Sequence, residues 1–106
     1  MRAIAATGDT RFKLMPDLPT ISEQGYPGFT ATAWIGFLTA GGTPKPIVDR
    51  YNRELVRILN MPHIREQLEK MDFDVVASTP EYFKDWIDTE IVRWGEIVKA
   101  TGATAG

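Results

Sequence analysis

Phe29-Thr30-Ala31-Thr32-Ala33-Trp34-Ile35-Gly36-Phe37-Leu38 alternates with the two-residue period of an extended strand. Phe29, Ala31, Ala33, Ile35 and Phe37 fall on one face; Thr30, Thr32, Trp34, Gly36 and Leu38 fall on the other. At ~3.3 Å per residue the segment spans roughly 33 Å, which is long for a chain of 106 residues. That length suits a strand crossing between two lobes. Gly41-Gly42-Thr43-Pro44 then stops it.

Upstream, Arg2-Ala3-Ile4-Ala5-Ala6 reads as a short buried strand ended by the turn residues Thr7-Gly8-Asp9. Residues 11–18 have no clean period, and Pro16-Asp17-Leu18-Pro19 holds the backbone extended, so the segment reads as a surface connection. Thr20-Ile21-Ser22-Glu23 has the capping-box pattern: Thr20 accepts from the third amide and Glu23 reaches back to Thr20. A one-turn helix closed by Gly25 is expected.

Downstream, Thr43 ahead of Pro44 predicts an N-capped helix to about Leu59. Ile47, Val48, Tyr51, Leu55, Ile58 and Leu59 form the stripe it would pack on a sheet. Asn60-Met61-Pro62 starts a second helix, with Ile64, Leu68 and Met71 inward and an end near Asp72. Residues 73–77 read as a strand. The last helix starts at Ser78-Thr79-Pro80-Glu81 and turns Phe83, Trp86, Ile87, Ile91, Trp94, Ile97 and Val98 inward. It stops at Gly102, with a frayed tail over 101–106.

Composition narrows the classes of function. The net charge of -2 supplies no positive field, so no nucleic acid is expected as a partner. The absence of cysteine excludes disulfides and thiolate chemistry. The longest apolar stretch, 33–38, is far short of the ~20 residues of a membrane helix, and Met1-Arg2-Ala3-Ile4 does not read as an export signal.

No catalytic constellation emerges. His63 has neither cysteine nor a second histidine with which to share a metal, so no metal or cofactor is expected. Ser22 and Ser78 sit at helix starts, where capping accounts for them without a general base. Glu66 and Glu69, Asp72 and Asp74, and Glu81, Asp85 and Asp88 lie among Lys and Arg and read as solvated charge, with Glu66 and Lys70 spaced for a helical pair. Gly41-Gly42-Thr43 resembles a loose anion nest, without a lysine in phosphate-loop register. Trp86 and Trp94 fit a core stripe. Trp34, among Thr30, Thr32 and Gly36 on the more polar face, reads either as a packing residue or as one bordering a cleft.

Residues 2–7, then Pro16-Asp17-Leu18-Pro19-Thr20-Ile21-Ser22-Glu23, Ala33-Trp34-Ile35-Gly36-Phe37 and Gly42-Thr43-Pro44, followed by Thr79-Pro80-Glu81-Tyr82-Phe83 and Glu90-Ile91-Val92-Arg93-Trp94, carry a resemblance. In this order they resemble the C-terminal portion of the tripartite tricarboxylate transporter receptors, the Bug-type periplasmic solute-binding proteins. The resemblance implies an α/β chain: the C-terminal part of a two-lobed periplasmic-binding-protein-like fold, with a long crossing strand and a long C-terminal helix. It assigns residues 1–34 to the end of the second lobe and 35–106 to the C-terminal half of the first.

It also implies capture of a small carboxylate or related solute in the periplasm, delivery to membrane transporter subunits, and no enzymatic step. Thr7 and Gly8 would end a cleft-facing strand, where ligands of open sheets bind. With Thr32 and Trp34 they are the ligand-binding candidates. Family members are roughly three times as long, with an export signal and a glycine-rich ligand loop, so this chain is expected to bind poorly. Unpaired strands at Met1 and Phe29 would favour a homodimer. The competing expectation is a free-standing small α/β interaction module without a ligand.

Overall fold

A computed structural model describes residues 1–104; the last two residues of the expected frayed tail lie outside the described set. Three helices are formed: α1 (Lys45–Leu59), α2 (Pro62–Lys70) and α3 (Pro80–Thr101). The chain divides into two units, one of Met1–Thr39 with Glu66–Asp74 and the other of Ala40–Arg65 with the described residues from Val75 onward. Helix α2 contributes residues to both.

The first unit gathers around Ala6. Its amide donates to the Pro19 carbonyl at 2.9 Å and its carbonyl accepts the Ile21 amide at 2.9 Å, forming a parallel bridge between Ala6 and Thr20. These two residues are 1% and 2% exposed. The Ala31 amide then donates to the Thr7 carbonyl at 2.8 Å. Three extended segments therefore meet, but none lengthens into a ladder.

The strands expected at 2–6, 29–38 and 73–77 are accordingly absent as regular strands among the described residues. Alternation fixes which side chains share a face; it does not supply the neighbouring chain whose amides and carbonyls make a strand. Ile35, Phe37 and Leu38 are all exposed, with no second layer over them.

The expected capping box forms on a turn instead of a helix. Glu23 Oε2 accepts the Thr20 amide at 2.8 Å and Thr20 Oγ1 accepts the Glu23 amide at 3.1 Å. The Gln24 amide returns only to the Ile21 carbonyl, and Gly25 at φ 108° ends the turn. Ser22 does not cap a helix either: its hydroxyl accepts the Gly28 amide at 3.1 Å and closes the following loop.

Helix α2 ends on a Schellman motif. The Phe73 amide donates to the Leu68 carbonyl and the Asp72 amide to the Glu69 carbonyl, each at 3.0 Å, with Asp72 left-handed at φ 62°. Asp72 thus occupies the position where glycine is most at ease.

In the second unit α1 packs on α3. Pro44, not Thr43, is the N-cap of α1, because the Thr43 hydroxyl donates to the Ala40 carbonyl at 2.7 Å. Val48, Asp49, Asn52, Leu55, Val56 and Leu59 of α1 are half-buried, whereas Ile47, Tyr51 and Ile58 of the expected stripe are exposed, and the helix packs on another helix instead of a sheet. Asn52 Nδ2 donates to the Ser78 carbonyl at 2.9 Å, joining α1 to the start of α3. There Thr79 is the N-cap, its hydroxyl accepting the Tyr82 amide, and Gly102 at φ 67° closes the far end.

The inward stripe of α3 is covered only at Phe83 and Ile87. Trp86 and Trp94, expected in a core, are each 39% exposed. Total exposure is 8734 Å² for 11.9 kDa. Even two separately compact units of half that mass would expose only about 7,200 Å² by the usual size scaling. Large apolar side chains contribute to that exposure, among them Ile35, Phe37 and Leu38 of the extended segment and Ile91, Trp94 and Val98 of α3.

Candidate functional site

The bond from the Ala31 amide to the Thr7 carbonyl brings Thr7 against the residue before Thr32. Thr7 follows the pinned Ala6, so its position is fixed by the bridge to Thr20. Gly8 is buried, and a Cβ there would lie 3.1 Å from the Thr10 carbonyl oxygen. The close approach of the 8–10 turn thus favours a residue without a side chain, since a Cβ would press on a backbone atom. Thr32, next to Ala31, is exposed, as is the Thr7 side chain. Two exposed hydroxyl-bearing residues and a glycine turn therefore flank this one backbone bond of the first unit. Trp34 stands two residues beyond Thr32 and is 42% exposed.

Chemically these residues offer hydroxyl and amide groups, which suit hydrogen bonds to a polar solute. Of the first unit's cations, Arg11 and Lys13 are each engaged with a carboxylate. Arg11 forks onto Glu23, with Nη2 at 2.9 Å from Oε1 and Nε at 3.0 Å from Oε2, while Nη1 reaches the Pro16 carbonyl at 3.1 Å. This fork and the Thr20 amide lower the Glu23 carboxyl to about 2, and the fork raises Arg11. Lys13 Nζ pairs with Asp74 at 2.6 Å, which raises the lysine.

The remaining chemical candidates resolve into surface pairs. Glu66 meets Lys70 at 2.7 Å, and Asp88 meets Lys84 at 2.5 Å. Lys45 serves both Asp49 at 2.9 Å and Glu81 at 3.7 Å, in an open groove at the N-terminal ends of α1 and α3. His63 is exposed on the first turn of α2. Among the described residues no three His, Cys, Asp or Glu stand together as metal ligands, and no helix is long and apolar enough to cross a membrane.

Two polar features escaped the sequence reading. Glu90 is only 5% exposed within α3, its Oε2 accepting Trp94 Nε1 at 2.9 Å and its Oε1 accepting Arg93 Nη1 at 3.3 Å. An acid midway along an apolar stripe, four residues before a tryptophan, was the available signal. The Arg11–Glu23 fork joins residues 12 apart through a loop and has no local signature.

A family model for the tripartite tricarboxylate transporter family receptor matches residues 1–103. The chain belongs to this family, which is one of solute-binding receptors and not of enzymes. It is 32% identical over 103 residues to Protein BugT of Bordetella pertussis, covering 97% of this chain and 32% of that protein. It is 31% identical over 99 residues to a protein encoded in the tcbD-tcbE intergenic region of Pseudomonas sp. strain P51, covering 92% of this chain and 30% of that one.

Among solved structures, the periplasmic binding protein BugD superposes with a TM-score of 0.83 at 33% identity, over 92% of this chain and 33% of BugD. The R. palustris protein Rpa4515, solved with adipate, gives 0.81 at 28% identity, again over 92% and 33%. The architecture is thus part of a periplasmic-binding-protein fold. The chain spans about a third of the length of these relatives.

Proposed function

We propose that this chain forms part of an extracytoplasmic receptor that captures a small carboxylate solute for a tripartite transporter, and that Thr7, Gly8, Thr32 and Trp34 supply one wall of the site. The observation that carries the reading is the Ala31–Thr7 backbone bond, which joins the turn after one extended segment to the backbone of another at the residue before Thr32. Support for the ligand class comes from the family's receptor function and from the adipate held by the R. palustris neighbour. A wall built of neutral hydroxyl and amide donors fits a solute that is hydrogen-bonded instead of chemically transformed.

On this reading residues 1–34 belong to the second lobe and 35–106 complete the first, with residues 29–38 as the crossing segment. The working location is the periplasm and the partners are membrane transporter subunits. A third of a receptor carries only part of a binding wall, so the chain alone is a weak binder. A second copy is the partner proposed for the uncovered apolar surface, and light scattering is expected to report a dimer at micromolar concentration. The alternative of a self-sufficient interaction module requires a closed core, and the exposure of Trp86, Trp94, Ile35 and Phe37 argues against one.

Isothermal titration of the chain with linear dicarboxylates, against diamines of matched length, tests the ligand class. Weak saturable heat with dicarboxylates alone is expected. Equal responses to both series, or a response to diamines alone, contradicts it.

A further inference from the structure

We infer that Arg11 and Glu23 are positioning residues for the Thr7–Gly8–Thr32 patch, acting through Thr20 and Ala6. The inference rests on the proposed function only in calling that patch a ligand wall; the relay itself is a matter of geometry. Glu23 holds Thr20 twice, its carboxylate accepting the Thr20 amide at 2.8 Å and its amide donating to Thr20 Oγ1 at 3.1 Å. Thr20 is 2% exposed, so its neighbours Pro19 and Ile21 present their carbonyl and amide from one fixed place. Those two groups make both backbone bonds of Ala6. The residue after Ala6 is Thr7, whose carbonyl receives the Ala31 amide.

Arg11 completes the relay from the other side. Its fork occupies both oxygens of Glu23, and its third contact, to the Pro16 carbonyl, fixes the start of the segment that delivers Pro19 and Thr20. A bidentate guanidinium is geometrically demanding, so the carboxylate has one orientation in which it also reaches the Thr20 amide. The charged groups acting on this pair are few: Arg11 faces Glu23, and Asp17 acts on Arg11. Gln24 adds an independent tie, Nε2 to the Ile4 carbonyl at 2.9 Å, which holds the same segment when the relay is cut.

Amide hydrogen exchange by NMR on the whole chain, in wild type, Glu23→Gln, Arg11→Ala and Arg11→Lys, tests the relay without any ligand. Expected is exchange at least ~10-fold faster at Ala6, Ile21 and Ala31 in Glu23→Gln and Arg11→Ala. Arg11→Lys should restore part of the protection, and α3 amides should be unchanged. Acceleration confined to Thr20 and Glu23, with Ala31 untouched, overturns the inference. If α3 also loses protection, the variant has lost its fold and the acid titration of wild type decides. The Ala31 amide shift must then follow the Glu23 carboxyl shift, and an Ala31 signal that ignores that step overturns it. Neither readout depends on solute, so failure here leaves the ligand titration standing.

Discussion

The Thr7 carbonyl accepts the Ala31 amide at 2.8 Å, although 24 positions separate the two residues, and this bond ties two separate extended segments together. Ala6, immediately before Thr7, is held on both its amide and its carbonyl. The rigid side of the patch is therefore the 6–8 turn, and Ala31-Thr32 is the segment brought to it. Removing the rigid side should disturb the patch more than trimming the segment.

Gly8→Ala is the sharpest probe of that turn. The new Cβ would meet the Thr10 carbonyl oxygen at 3.1 Å, a backbone atom that cannot rotate away. The expected result is displaced Thr7 and Ala31 amide resonances and loss of dicarboxylate heat, with the helical circular dichroism of wild type. Thr32→Val, which keeps the side-chain shape, should weaken binding while leaving the Ala31 amide where it was.

The Glu23 carboxyl is lowered from 4.5 to about 2, chiefly by the Arg11 side chain and then by the Thr20 amide. A group depressed in the folded state stabilises it above its unfolded value and ceases to do so as pH falls through the folded one. The contribution should thus be whole above pH 4.5 and fade on descent to 2. Urea midpoints measured across that window should drop more steeply in wild type than in Glu23→Gln. Both partners are about half exposed, so added salt should flatten the difference.

Asp72 ends α2 in the left-handed region at φ 62°. Glycine carries no Cβ penalty there, so Asp72→Gly should stabilise the chain by up to ~1 kcal/mol, whereas Asp72→Val should destabilise it by about 1–2 kcal/mol. Urea denaturation of the pair checks both signs.

Glu90→Ala leaves Trp94 Nε1 without its acceptor. Since Trp94 is 39% exposed, water can replace the carboxylate, and the cost should fall near the low end of the range for a broken charged bond, about 1 kcal/mol. Tryptophan emission should shift to the red. An unchanged spectrum would show that the bond does not set the indole's surroundings.

How legible this molecule was follows the range of its interactions. Helix ends written in adjacent residues were readable: Pro62, Thr79 with Pro80, and Gly102 mark the termini as found. The Thr20–Glu23 box was readable as a pattern, although one turn without a continuing helix was all that the following Gly25 allowed. The strands were not, because their existence depends on partners far along the chain, and here the extended segments meet only at the isolated Ala6–Thr20 bridge and the Ala31–Thr7 bond. The same limit hid the Arg11–Glu23 relay. At the site, Thr7 and Gly8 were suggested by their place after a strand, but their meeting with Ala31 had no local sign.

The central claim is that Thr7, Gly8, Thr32 and Trp34 form one wall for a carboxylate solute. An amide-and-indole NMR titration of the whole chain with adipate tests it most directly, because it reads millimolar binding residue by residue. The account expects saturable shifts at the Thr7, Gly8 and Thr32 amides and the Trp34 indole, with the Lys45–Glu81 groove silent. Shifts centred on that groove, or no shifts at those four residues, would contradict it.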